Sequence, residues 1–550
     1  MNEKSFWLGS ALAALPLLCG TVQSAAPAGS PSTDRERLGT VAFPTSCAPS
    51  VRASFNRGVA LLHDFWYAEA KPQFQRIATA DPSCAMAHWG IAMSGFHQIW
   101  DRPDATTMAM GWRELQAAQA HPAATERERS YIAALAAFFR PGAADFLPRI
   151  DAYAQAMGQL YARYPRDVDA GAFYALALLA QERPDDSSLD QQHHAMAVLA
   201  PLWRKYPEHP GLAHYIIHAC DTPSMAADGL AAARLYGKIA ASGPHAVHMP
   251  GHIFARLGLW QEDIDANRGS VQASQAAEAR HESGWMDQFH SDDFLVYAYL
   301  QSGQDENARA TVTAATQALA AHEAMSGMST DDSMAEMFPY YRTKLPLFVA
   351  LEMRNWEEAA AFEPIRGAPP ETQTQVFWAR AIAHGHLHQP EAAGADLAAR
   401  EALLDQVRKG PHAYYAQGIS TKIVSSEMQA WVAFAAGDNT EAVRQMRDAA
   451  DLQDKVGQGE VDIPAREMLA DILLESGQAP AALAEYRQAL ALSPNRFNGL
   501  YGAGKAAEAI GDTALAREYY ATLLKVTDGG RRSARAEIEH ARSFSAAASL

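Results

Sequence analysis

The 550-residue chain is short of several things that would place it elsewhere. Gly and Pro number only 36 and 29, too few for a collagen-like or low-complexity chain. Charged residues make up 20% and apolar residues 48%, ordinary globular values that exclude wholesale disorder. There is no basic excess: 46 Lys and Arg face 63 Asp and Glu, a net charge of −17. A surface of that sign repels phosphate backbones and no basic stripe offsets it, so nucleic acid is not an expected partner. No apolar run is long enough for a membrane-spanning helix. Strand-like alternation is missing as well, which leaves an all-helical chain. Cysteines number four.

The first segment reads as an address. Lys4 precedes an apolar stretch from Phe6 to Leu18, followed by Thr21, Val22, Gln23, Ser24, Ala25 and Ala26. This is the pattern of a secretory signal over 1–24, cleaved near Ser24 or Ala25, and it implies a periplasmic or secreted protein. Lipidation at Cys19 fits less well, because bulky Leu17 and Leu18 stand where small residues are expected. Residues 25–45, rich in Ala, Pro, Ser and Gly at first, read as a flexible tether.

A period of 34 residues runs through the rest. Gly477, Ala482, Tyr486 and Ala489 are matched 34 residues later by Gly511, Ala516, Tyr520 and Leu523. Glycine breaks a helix at the turn, the small Ala lets two helices approach, and the aromatic fills the space between them. Pro494 then stops the second helix. The same grammar recurs at Gly58, Ala70, Phe74 and Pro82, at Gly251, Phe254, Gly258 and Trp260, and at Tyr299, Gly303 and Ala308. These features resemble the tetratricopeptide repeat family, whose units are helix-turn-helix pairs of 34 residues. The resemblance implies an all-α, right-handed superhelical solenoid of antiparallel helix pairs, exported and bacterial in type. It divides the chain into helical repeats over 46–200, His-rich repeats over 201–312, degenerate repeats over 313–460, and clear repeats with a capping helix over 461–550. Segments 268–288 and 313–338 do not fit a clean unit and read as insertions or extended helices. Without Cys19, three cysteines remain. Cys47 and Cys84 lie 37 residues apart, close to one repeat, which places them at the same end of adjacent helix pairs for a disulfide. Cys220 reads as a buried thiol.

One residue type marks one face. Measured back from turn glycine Gly258, His245, His248 and His252 stand at thirteen, ten and six; measured back from Gly303, the same offsets hold His290, Asp293 and Tyr297. One period before His248 and His252 are His214 and His218. Residues four apart share a helix face. In tetratricopeptide proteins that stripe lines the concave ligand groove. The resemblance therefore implies that His214, His218, His245, His248, His252, His290, Asp293 and Tyr297 face one groove. His63 and His97, also 34 apart, are a smaller echo. Imidazoles at i and i+4 can share a metal ion, so His214, His218, His248 and His252 are expected to converge on zinc, copper, nickel or iron, with His245 or Asp293 as a further ligand. Asp221, Asp292 and Asp293 are the candidate general bases. Other motifs fail: Gly499–Lys505 lacks the phosphate-loop hydroxyl and its strand, no second His completes a zinc-protease motif, no Gly-x-Ser-x-Gly elbow occurs, and His384, His386 and His388 read as a surface helix end. The expected function is a binding scaffold, with a protein or peptide in the groove and a metal or polar-ligand site among the histidines. The alternative is a metal-dependent enzyme using the same cluster.

Overall fold

The computed structural model describes residues 36–99, 102–121, 125–142, 145–183, 187–326, 337–410, 416–459 and 461–546. The signal segment 1–24 and most of the tether lie outside the described residues. Contacts divide the chain into a unit ending at Glu36 and one running from Arg37 onward.

Every regular element among the described residues is helical. Helices follow one another as antiparallel neighbours, so the fold is an all-α solenoid of helix pairs. The clearest units show why. Ala465–Glu475 and Ala479–Leu492 form one pair, Phe497–Ala509 and Thr513–Val526 the next. Gly477 and Gly511 hold the intervening turns with φ of 78° and 81°, a region that costs side-chain-bearing residues energy. Ala482, Ala516, Tyr486 and Tyr520 are fully buried. Each tyrosine ring lies on a glycine of the Phe497–Ala509 helix, Tyr486 on Gly502 and Tyr520 on Gly504, where any Cβ would collide with it. Segment 268–279 continues the helix Trp260–Ala279, and 313–326 continues Asp305–Ser326.

Residues 36–45 are not a tether. Leu38, Val41 and Phe43 are buried, Gly39 N–H donates to the Ile239 carbonyl, and Thr40 N–H donates to the Glu208 carbonyl. The small-residue composition that suggested flexibility ends before these apolar side chains begin. The histidines expected at a surface helix end are also packed. His384 is buried against Asp396 at 2.8 Å, and His386 stacks on Trp356 at 3.9 Å with Nδ1 2.9 Å from Glu475. Cys220 is a buried free thiol pushed up to about 12 by burial, which leaves it unreactive.

The row of helices returns on itself in two places. The first helix, Arg52–His63, reaches the helix Pro210–Cys220, where the His63 ring fills the space a Cβ on Gly211 would need. The C-terminal repeats reach the central ones through Trp260 Nε1–H to Asn495 O at 2.8 Å and a buried Arg496 between Glu352 and Glu467 at 2.8 and 2.9 Å. No described helix is long and apolar enough to cross a membrane.

Cys47 and Cys84 are joined, with Cα atoms 4.6 Å apart. Removing the bridge by Cys47→Ser with Cys84→Ser is expected to destabilise the N-terminal repeats by about 3–4 kcal/mol on the loop-entropy account. Hydrogen exchange checks this: faster opening confined to the first two helix pairs is expected, because repeats contact chiefly their neighbours. Unchanged protection there, or loss spread evenly along the chain, would contradict it.

Candidate metal centre

Three successive first helices carry the histidines: Pro210–Cys220, the pair Pro244–His248 and Pro250–Arg256, and Trp285–Gln301. Pro210 and Pro244 open their helices at a position where the missing N–H costs nothing. Their pitch puts His214 and His218 on one face, and His248 and His252 on the equivalent face one unit later.

The side chains gather as two triads rather than as the one foursome expected. His214, His218 and His245 form the first; His248, His252 and His290 form the second. His214 Nε2 lies 3.0 Å from His218 Nε2 and 3.2 Å from His245 Nε2. In the second triad His248 Nε2 lies 3.0 Å from His252 Nε2, and the His290 ring centroid is 4.4 Å from that of His248. The physical reason for the regrouping is the helix pitch. His245 precedes His248 by almost one turn, so it reaches back to the pair on the preceding helix. His290 does the same for His248 and His252. Each triad therefore takes two histidines from one first helix and one from the next.

Asp293 and Tyr297, expected in the same groove, have other partners. Asp293 forms an ion pair with buried Lys344. Tyr297 accepts from Arg496 Nη1 at 2.5 Å and donates to the Asp462 carbonyl at 3.3 Å. In this third unit the register positions of His248 and His252 serve the packing between repeats. His97 stacks on Tyr67 at 4.4 Å.

The tautomers follow from the partners of Nδ1. His214 Nδ1 is 2.6 Å from the His63 carbonyl, which can only accept, so His214 carries its proton there. His248 Nδ1 is 2.6 Å from Asn267 Oδ1. The Asn267 amide is oriented because its NH₂ donates to the Asp263 carbonyl at 3.0 Å and to Asp263 Oδ1 at 2.6 Å. His252 Nδ1 is 3.0 Å from Asp221 Oδ2, and Arg256 Nε–H holds the other carboxylate oxygen at 3.0 Å. With a hydrogen on Nδ1 directed at these acceptors, the Nε2 atoms of His248 and His252 point at each other at 3.0 Å. Two neutral Nδ1–H rings in that arrangement favour a cation, a proton or a metal ion, between their Nε2 atoms. Metal bonds of about 2.0–2.1 Å at angles between right and tetrahedral place donor nitrogens about 2.9–3.4 Å apart; His214–His218, His214–His245 and His248–His252 fall in that window, and all donors of each triad lie within 4.8 Å of one another.

Burial keeps His214 and His245 neutral and able to ligate. His214 is fully buried, and loss of solvation pushes it down to about 3; burial also holds His245 well below the usual imidazole range. Each triad has an aromatic cap. Phe65 lies 4.3, 5.5 and 5.6 Å from the His214, His218 and His245 rings. Phe294 lies 4.8, 4.8 and 5.4 Å from His248, His252 and His290. Phe65 adopts a left-handed backbone with φ of 55°, a strained state for a bulky residue, of the sort that collects at functional sites. The sequence pattern missed Phe65, Asn267 and the His63 carbonyl. Phe65 comes from the first repeat and Asn267 from a second helix, so neither shares the histidine register; His63 echoes that register but contributes its carbonyl rather than its ring.

A third buried cluster has the opposite tautomers. His63 Nε2 and His209 Nε2 both reach Asp169 Oδ1, at 3.1 and 3.2 Å. Burial raises that carboxyl, but the hydrogen bonds from His209 and His63 outweigh it and leave Asp169 well below its usual range. His63 Nδ1 then accepts from the Tyr215 hydroxyl at 2.9 Å. This network fixes His63, whose carbonyl orients His214.

No known family model matches the chain, and no curated protein sequence matches it. Among solved structures, one similar chain belongs to "Structure of Naa15/Naa10 bound to HypK-THB": 13% identical, TM-score 0.23, covering 90% of this chain and 73% of that one. At that TM-score the similarity carries no weight, and the fold assignment rests on the helices themselves.

Nitrogen-15 NMR of histidine-labelled protein reads the tautomers directly. His214, His248 and His252 are expected as Nδ1–H forms at neutral pH. Neutral Nε2–H forms at His248 and His252 would overturn the lone-pair geometry.

Proposed function

We propose that the protein is a transition-metal-binding helical-repeat protein of an oxidising compartment, with one ion in each histidine triad. The observation that carries this reading is the convergence of three imidazole nitrogens in each triad, all within 4.8 Å of one another, with Asn267 and Asp221 behind His248 and His252. Carbonyl and carboxylate partners behind ligating imidazoles are the usual outer support of metal sites, fixing ring and tautomer together. Donor sets of imidazole alone, without thiolate, suit copper, zinc, nickel or iron, and among divalent ions the intrinsic order of affinity favours copper. The Cys47–Cys84 disulfide supports export, since such bridges persist outside reducing compartments.

Protein prepared without an affinity His tag is expected to hold up to two transition-metal ions per chain. His218→Ala with His252→Ala is expected to abolish both, because each change removes one ligand from one triad. Circular dichroism should stay helical, since neither ring is fully buried. Elemental analysis checks this. A wild-type chain that takes up no copper, zinc, nickel or iron at neutral pH would refute the metal reading and leave a scaffold that holds a protein or peptide in its groove.

A further inference from the structure

We propose, resting on the two-triad reading above, that the triads form one dinuclear copper centre that binds a small anion, hydroxide or azide, as a bridge between the ions. Three features support a coupled pair over two separate sites.

The first is spacing. The His245 and His248 ring centroids, which belong to different triads, are 6.2 Å apart. Within the first triad His218 and His245 are 6.4 Å apart, and within the second His252 and His290 are 5.8 Å apart. The boundary between triads thus matches the longest separations within a triad, while the other ring pairs inside the triads are closer, at 4.4 to 5.1 Å. His245 and His248 also belong to the same short helix, Pro244–His248, so the two sites share a rigid wall.

The second is charge. Neither triad includes a carboxylate or thiolate. Three neutral imidazoles leave each divalent ion with its full charge, and two such ions close together in a buried setting repel strongly. An anion shared between them removes most of that repulsion. The nearby carboxylates are already engaged from behind: Asp221 with His252 and Arg256, and Asp287 3.6 Å from His245 Nδ1. They face ring Nδ1 atoms, on the side of each ring away from Nε2.

The third is coordination number. Three protein ligands leave each ion at least one open position, the arrangement of sites that bind exogenous ligands. Phe65 and Phe294 each cap one triad with an apolar ring. His218, His252 and His290 are the half-buried members and mark the solvent side. Ion pairs that share a bridging ligand sit about 3.5–4 Å apart, the separation a coupled centre here requires.

The test uses full-length protein loaded with Cu(II) alone, measured for total copper and for spin count by electron paramagnetic resonance, with and without azide. The expected result is two copper ions per chain and, on azide addition, a spin count below half the copper present or a half-field transition. His218→Ala and His290→Ala each break one triad, and either is expected to give one copper per chain at full spin count. Two copper ions per chain at full spin count, with no half-field transition in azide, would overturn the coupled pair while leaving metal binding intact. Absence of bound copper would overturn both readings.

Discussion

The centre of this protein depends on one geometric constraint: the same face of each first helix lies against the same neighbour, unit after unit. With a 34-residue period, a pair of residues four apart on one helix meets a residue from the opening turns of the next. That meeting occurs twice. His214 and His218 meet His245, and His248 and His252 meet His290. His290 follows at a longer sequence distance because the helix Trp260–Ala279 is extended, yet it arrives at the equivalent place. The extension lengthens the path along the chain without moving the end point of the next first helix.

The second constraint is that ligands need backing. The His63 carbonyl, Asn267 and Asp221 each take an Nδ1 proton, and each is itself fixed. His63 is held by Asp169 and Tyr215, Asn267 by Asp263, Asp221 by Arg256. Arg256 Nη1 continues to the Gln458 carbonyl at 2.5 Å, so the backing reaches the C-terminal repeats. The first repeat and the C-terminal repeats thus both lean on the central helices and hold the histidines in place. Without that backing the rings could turn to hydrogen-bond each other as ordinary neutral imidazoles.

Much of this was legible in the sequence. The turn glycines and buried alanines of 465–525 announce helix pairs, and the offsets from Gly258 and Gly303 align His245 with His290. The 34-residue repetition of His214 and His218 at His248 and His252 marks the helices that carry the triads. What the sequence could not show was the grouping, because it depends on which helix a first-turn residue leans toward. Asp293 and Tyr297 share the register but not the role: Lys344 and Arg496, far along the chain, claim them. Phe65, whose strained backbone caps the first triad, carries no periodic signal, since it comes from the return of the first repeat onto the fifth helix pair. Residues 36–45 misled through composition, as three apolar side chains sufficed to seat an extended segment in the core.

X-ray absorption at the copper edge of the loaded protein tests the central claim most directly, because it counts the donors around each ion. The account predicts three imidazole nitrogens per copper at about 2.0–2.1 Å, with the outer-ring scattering characteristic of histidine, and at most one or two lighter exogenous donors. A first shell dominated by water or carboxylate oxygen, with fewer than two imidazoles per ion, would contradict it.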